Sequence, residues 1–154
     1  METLAITKNE KNYASIVHLS AFSKFLIPLG NYIVPIVLWS TKKRESSFVD
    51  YHGKQIINFQ LSVLLYTILL GIIAVPAIVG TVLSNFTWNE IESGNLVLEN
   101  MQINNLIGLG VFGFICCALI AILKIVEFFY IIYGSIKASE GEYFKYPFTI
   151  NFLK

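Results

Sequence analysis

The chain has 154 residues, of which 55% are hydrophobic and 14% charged, and its formal net charge is +1. Soluble domains average about 25% charged residues, so this composition favours an integral membrane protein. A nucleic-acid-binding protein needs a sustained basic surface, and the sequence contains none, so nucleic acid is excluded as a predicted partner. We predict one membrane domain, residues 1–154, surrounded by membrane lipid.

The first apolar segment, residues 13–39, contains two prolines, Pro28 and Pro35. Proline lacks an N–H donor and clashes with the preceding helical turn, so we predict that the segment is broken at these positions. It is either one kinked span or two half-helices in a re-entrant hairpin, whose backbone must be sheltered by other helices. Segment length favours the span, whereas Lys8 and Lys11 favour the hairpin because lysine prefers the cytoplasmic side. The side of the N-terminus stays open with this choice.

The second apolar segment, residues 56–83, lies in a stretch from Gln55 to Asn89 without Asp, Glu, Lys, Arg or His. About 20 apolar residues suffice for a helix to cross a hydrocarbon core of roughly 30 Å, so this segment is predicted to span the membrane. Ser47 to Asp50 matches the capping-box pattern, which predicts a helix start near Ser47.

Polar residues mark the beginning of this second helix. Lys54, Asn58 and Ser62 share one helical face, and we predict that they bond to the third helix. His52 and Asp50 suggest an acid-base or metal site, but one histidine and one carboxylate are an incomplete ligand set. His18, the other histidine of the sequence, could complete it if the fold brought the two together.

The third apolar segment, residues 103–138, is predicted to form a long helix that stops at Gly141. Gly113, Cys117 and Ala121 recur every four residues along it. Such a stripe of small side chains lets another helix approach closely, so we predict helix packing at these residues.

Two ionisable residues, Lys124 and Glu127, lie inside this third segment. Charges within a span are costly and usually face a bundle interior or a watery cavity. At this spacing the two side chains can form an intrahelical ion pair. A proton or ion pathway and a charged contact with a partner protein are the alternatives.

The remaining segments are an acidic loop, residues 84–105, and an aromatic tail, residues 141–154. Aromatic side chains suit the headgroup region, so we predict that the tail lies along the membrane surface. Basic residues cluster in the loop 42–54 and again in the tail, which predicts that both are cytoplasmic.

The sequence predicts no catalytic, cofactor-binding or metal-binding site. Cys116 and Cys117 are adjacent in an apolar run, where successive helical residues point about 100° apart and cannot share a metal. Nucleophile elbows, phosphate loops and zinc signatures are missing from the sequence. We therefore predict no catalytic residue, no cofactor and no metal, and we expect a protein that is not an enzyme.

Three sequence blocks, HLSAFSKFLIPLGNYIVPIVLW, KKRESSFVDYHGKQIINFQLS and IKASEGEYFKYPFTINFLK, carry a family resemblance. They resemble the small bacterial membrane proteins of domain of unknown function family 4870, which are grouped with the chloroplast import component Tic-twenty. The resemblance implies an all-α bundle of three to four transmembrane helices in the bacterial inner membrane. The motif positions it implies are His18, Pro28, Pro35, Phe48, Asp50, His52, Gly53, Asn58, Gln60, Gly141, Tyr146 and Pro147.

The sequence favours a non-enzymatic scaffold or accessory subunit that acts through helix-helix assembly, with itself or with other membrane proteins. One alternative is a channel, transporter or protein-translocation component with Lys124, Glu127 and Asn58 along a polar path. The other is a lipid-modifying enzyme that uses His52 and Asp50.

Overall fold

The computed structural model describes residues 6–83 and 103–154, which contain four α-helices and one short 3-10 helix. They are α1 (Lys8–Leu19), the 3-10 helix (Ser20–Phe25), α2 (Gly30–Lys42), α3 (Ser47–Leu83) and α4 (Ile103–Glu140). The predicted acidic loop lies outside the described residues except for residues 103–105, which belong to α4. The chain divides into two compact units, one of Met1–Leu65 with Ile125–Lys154 and one of Tyr66–Lys124. The prediction of a single domain stays a prediction.

The first apolar segment folds back on itself as a helical hairpin. The hydroxyl of Tyr13, in α1, bonds the carbonyl oxygen of Leu38 near the end of α2 at 2.8 Å. At the opposite end, a Cβ on Gly30 would lie 2.6 Å from the carbonyl oxygen of Ser23, so α2 begins directly against the 3-10 helix. These two contacts make the helices antiparallel, so the segment is a hairpin, and its re-entry into the membrane stays a prediction.

Only one of the two prolines interrupts this segment. Pro28 lies in the turn between the 3-10 helix and α2, next to Leu29 with its positive φ of 60°. Pro35 lies inside α2, so the predicted break at Pro35 is wrong. The fixed φ of proline is compatible with a helix, and α2 continues past the one backbone donor that the ring removes.

Helices α3 and α4 begin and end close to the predicted positions. The hydroxyl of Ser46 accepts the N–H of Val49 at 3.3 Å, so α3 starts at Ser47 with its cap one residue earlier than the capping-box pattern indicated. Helix α4 ends at Glu140, and Gly141 follows in the left-handed region with φ 88°, as predicted.

Two helices of the described residues are long and apolar enough to cross a membrane, by length and composition. They are Ser47–Pro76 and Val111–Glu140, each of 30 residues. The structure is all-helical, as predicted, while the predicted count of three to four spans is not reached by this criterion.

The first unit has a hydrophobic core to which α1, α3, α4 and the tail contribute. Val17 from α1, Ile56 from α3, Ile131 from α4 and Tyr146 from the tail are buried together. The second unit differs, because many apolar side chains along its helices are exposed. Examples are Ile72, Ile73, Phe114 and Ile122.

Candidate functional site

Two histidines and a tyrosine meet inside the first unit in a buried hydrogen-bonded chain. His18 Nδ1 lies 2.7 Å from the hydroxyl oxygen of Tyr146, and His18 Nε2 lies 2.8 Å from His52 Nδ1. His52 Nε2 lies 3.1 Å from the carbonyl oxygen of Glu142. All three side chains are almost completely buried. This series of hydrogen bonds therefore connects α1 and α3 to two residues of the C-terminal tail, Glu142 and Tyr146.

These partners fix one arrangement of the protons. A carbonyl oxygen only accepts, so His52 donates from Nε2 to Glu142 and its Nδ1 accepts from His18 Nε2. His18 Nδ1 then accepts the Tyr146 hydroxyl hydrogen, and both rings are neutral. Burial, together with the nearby His52, holds the pKa of His18 well below its usual range. Burial raises the pKa of Tyr146 well above its usual range, which keeps the phenol protonated as a donor.

Further along α3, two polar side chains hold the rest of the tail. The Asn58 amide donates to the Leu153 carbonyl oxygen at 3.0 Å and accepts the Leu153 N–H at 2.8 Å. The Ser62 hydroxyl accepts the N–H of Ile150 at 2.9 Å. We call His18, His52, Asn58 and Ser62 the tail clasp, because together they bond the tail along its length.

The polar face predicted for α3 bonds to other partners than the third helix. Asn58 and Ser62 do use their polar groups, but their partner is the tail rather than the third helix. A buried polar side chain must find a hydrogen-bonding partner, and the unpaired backbone of a non-helical tail offers such partners, whereas backbone groups inside a helix are already bonded to each other.

Glycines let the chain approach the clasp closely. A Cβ on Gly134, in α4, would lie 2.6 Å from the Tyr146 hydroxyl oxygen and 3.2 Å from His18 Nδ1. Beside His52, a Cβ on Gly53 would clash with the Trp39 ring of α2, so Gly53 lets α2 approach α3 closely. Gly134 is a clasp-supporting residue that the sequence analysis missed, because a helical glycine shows its purpose only when its neighbour across the helix is known.

The remaining predicted motif residues surround the clasp or brace the hairpin. Phe48 packs on the His52 ring with centroids 4.4 Å apart. Asp50 accepts from Trp39 Nε1 at 2.9 Å and pairs with Lys54 at 2.6 Å. The Gln60 side-chain oxygen accepts from the Asn31 amide at 2.8 Å. Pro147 directly follows Tyr146 in the tail.

The tail itself departs from the prediction at two aromatic residues. Tyr143, Phe148 and Phe152 are exposed, which agrees with an interfacial tail. Phe144 is half-buried against the core, and Tyr146 is buried with its hydroxyl bonded to His18 of the clasp. The interfacial location of the tail stays a prediction.

The buried carboxylate of Glu127 has a partner that the sequence did not indicate. It accepts from Lys24 Nζ at 2.6 Å, and Glu127 is 1% exposed. Lys24 lies in the 3-10 helix, so this ion pair ties the hairpin to α4. Lys124 is exposed, and the predicted Lys124–Glu127 pair stays a prediction. The ion pair with Lys24 escaped sequence analysis because the two residues are far apart along the chain.

The small-residue stripe lies in the second unit. Cys117 and Ala121 are exposed and Gly113 is half-buried. A Cβ on Gly113 would meet no atom within 4 Å. Its role in helix packing stays a prediction.

The clasp offers little room for reaction chemistry. His18 and His52 use all four ring nitrogens in hydrogen bonds, and the Asp50 carboxylate is occupied by Trp39 and Lys54. Within residues 6–83 and 103–154, no group of three or more His, Cys, Asp or Glu side chains is placed to hold a metal ion. What the arrangement does is hold a C-terminal segment against three helices.

Fold and site together define a small all-helical protein with two helices of membrane-crossing length and a clamped C-terminal tail. The chain belongs to the MamF/MmsF family, the magnetosome magnetite crystal formation protein family, whose model matches residues 9–153. No curated protein and no solved structure matches the chain significantly.

The family match corrects the resemblance drawn from the sequence. The family is MamF/MmsF and not family 4870 or the Tic-twenty group. Many of the residues that carried the resemblance, among them His18, His52, Asn58 and Tyr146, bond the tail to the helices. Such contacts report how the chain folds, and a shared fold does not decide a family or a function.

Proposed function

We propose that this protein is a non-enzymatic component of the magnetosome membrane that supports magnetite crystal formation by assembling with itself or with other membrane proteins. The observation that carries the proposal is the family match over residues 9–153, which includes both long apolar helices and the whole tail clasp.

The exposed apolar surface supports a membrane location. Helices α3 and α4 each contain a 30-residue stretch apolar enough to span. At the hairpin turn, Phe25, Leu26 and Leu29 are largely exposed, Leu26 at 86%. Contiguous exposed apolar surface marks contact with lipid or with another protein. In the proposed arrangement α3 and α4 cross the bilayer and the hairpin turn dips into it.

The length of α2 supports a re-entrant hairpin over a pair of full spans. Its 13 residues measure about 20 Å at the helical rise. A hydrocarbon core of roughly 30 Å is longer than that. Because the hairpin returns the chain, Lys8 and Lys11 come to the same side as Lys42 and Lys43, and the positive-inside rule places that side in the cytoplasm.

The state of the polar residues supports assembly over the two alternatives. A lipid-modifying enzyme would need free acid-base groups at His52 and Asp50, and both are held in structural hydrogen bonds. A polar path along Asn58 would need its amide, which bonds both backbone groups of Leu153.

The small-residue stripe is the surface that we assign to assembly. Gly113, Cys117 and Ala121 leave a shallow face on α4, and close backbone approach is the main source of helix association in lipid.

Genetic complementation tests the proposal. In a magnetite-forming host that lacks this gene, the wild-type chain is expected to restore crystal size, measured by electron microscopy. Ala121→Leu, which adds bulk to the stripe, is expected to fail although it still fractionates with membranes. Ile122→Leu is the matched control, because Ile122 is an exposed apolar neighbour outside the stripe. Normal crystals without the gene contradict the role in crystal formation, and full rescue by Ala121→Leu contradicts assembly through the stripe.

A further inference from the structure

A cleft of about 550 Å³ lies between the first turns of α3 and the C-terminal tail. Three lysines line it, Lys54 from α3 and Lys145 and Lys154 from the tail, and we call it the lysine cleft. Tyr51, Tyr143 and Asn151 add further polar side chains to its wall. The cleft belongs entirely to the first compact unit.

Basic side chains outnumber acidic ones in the wall of this cleft. The carboxylate of Asp50 is the one acidic side chain in the wall, and Lys54 at 2.6 Å and Trp39 at 2.9 Å already occupy it. Within the described part of the chain, Lys145 and Lys154 form no ion pair with an acidic side chain. Two ammonium groups without an acidic side-chain partner beside a third lysine favour an anion with several acceptor oxygens, such as a phosphate.

The tail clasp fixes the position of these lysines. Tyr146 is bonded to His18, and Leu153 is bonded twice to Asn58. Lys145 directly precedes Tyr146 and Lys154 directly follows Leu153, so both lysines are held beside α3. An anchored tail loses less conformational entropy when its lysines bind a ligand than a free tail does.

The membrane insertion proposed above would put the cleft at the depth of the phospholipid headgroups. Lys54 is two residues before Ile56, where the apolar run of α3 begins. If α3 crosses the membrane as proposed above, Lys54 lies at the boundary between hydrocarbon and water, on the side to which basic residues are directed.

We propose that the lysine cleft binds the phosphate of an anionic phospholipid headgroup. This inference rests on the proposed membrane insertion. Clusters of basic residues next to membrane spans attract anionic lipids by about 1 kcal/mol for each lysine. The cleft adds a defined geometry to that attraction, because its lysines converge from two segments of the chain.

Lipid binding by the detergent-solubilised full chain tests the proposal. Native mass spectrometry counts bound lipids during titration with phosphatidylglycerol, with phosphatidylcholine and, in a separate arm, with inorganic phosphate. The test variant is Lys145→Gln/Lys154→Gln. The control is Lys8→Gln/Arg44→Gln, which removes the same charge from two exposed residues of the same unit that do not line the cleft.

The expected result is preferential binding of phosphatidylglycerol that weakens about thirtyfold in the test variant, which lacks two of the lysines, while the control binds like wild type. Phosphate binding that weakens in the test variant without any lipid preference identifies free phosphate as the source and overturns the headgroup assignment. Equal weakening in both variants, or none in either, overturns the site. Alkaline carbonate extraction of each variant from membranes shows separately whether insertion itself has failed.

Discussion

The hydroxyl oxygen of Tyr146 lies 2.7 Å from Nδ1 of His18, although 128 positions separate the two residues along the chain. This bond closes the first unit, because it ties the tail to the first helix through a buried contact. His52 extends it to α3 and returns to the tail at Glu142. The tail is therefore a structural part of the first unit.

Loss of the Asn58 amide is expected to release the end of the tail. Asn58→Ala removes two hydrogen bonds to Leu153, which is expected to cost about 1–2 kcal/mol. Trypsin should then cleave after Lys145 faster than in the wild-type protein, as followed by mass spectrometry in detergent. Asn12→Ala, at an exposed position of α1, is the control and should leave the cleavage rate unchanged. Unchanged cleavage in Asn58→Ala would show that these bonds do not hold the tail.

A methyl group at Gly134 is expected to push the clasp apart. The added Cβ would lie 2.6 Å from the Tyr146 hydroxyl oxygen, and overpacking of this kind costs about 1–3 kcal/mol. The midpoint of thermal unfolding, read from tryptophan fluorescence in detergent, should fall. Gly71→Ala adds the same methyl group to α3 where no atom lies within 4 Å, so its midpoint should not fall. Equal midpoints for the two variants would contradict the close packing at Gly134.

The stability of the protein is expected to decrease with acidification. The pKa of His18 is lowered in the folded state, so the unfolded chain takes up a proton near the ordinary value of about 6.5 while the folded chain does not. The stabilising contribution is complete above that pH and is lost as the pH falls below it.

Thermal unfolding between pH 7.5 and pH 5 measures this effect, and the comparison is with His18→Gln. The glutamine amide can bond both neighbours but does not titrate, so its midpoint should depend less on pH. The same pH dependence in both proteins would exclude His18 as the source.

Removing only the lysine of the Lys24–Glu127 ion pair is expected to lower the free energy of unfolding. Lys24→Met leaves the Glu127 carboxylate buried at 1% exposure without this cation, and such a change typically costs about 3–5 kcal/mol. Lys24→Met/Glu127→Leu removes both charges and should recover most of that loss. Thermal unfolding of the two variants and the wild type provides the measurement. A double variant as unstable as the single one would show that the cost does not come from the buried Glu127 charge that Lys24→Met leaves behind.

If the first segment is a re-entrant hairpin, three positions that are far apart in the sequence should be labelled from the same side of the membrane. Single cysteines at Lys8, Lys43 and Lys154, in a chain with Cys116 and Cys117 replaced, should react with an impermeant maleimide only after cells are opened. Glu92→Cys, in the acidic loop outside the described residues, is expected to react in intact cells of a host that carries the chain in its cell membrane. Reaction of Lys8→Cys from outside would mean that the first segment crosses the membrane.

Local features of the chain were predictable from its sequence. The start of α3 at Ser47, the stop at Gly141 and the break at Pro28 follow from capping and backbone rules that act within a few residues. Pro35 was misjudged because a proline is compatible with a helix when the lost backbone bond is tolerated.

The sequence by itself determined that this protein is helical and rich in membrane-length apolar segments, because hydrophobic composition and helix signals are properties of neighbouring residues. Only the tertiary structure decided what the polar residues do. His18 is hydrogen-bonded to His52 and Tyr146, and Asn58 to Leu153, while Lys24 forms an ion pair with Glu127. Long stretches of sequence separate the partners in each case. Buried polar groups require partners, but the sequence does not state which partners the fold will bring near.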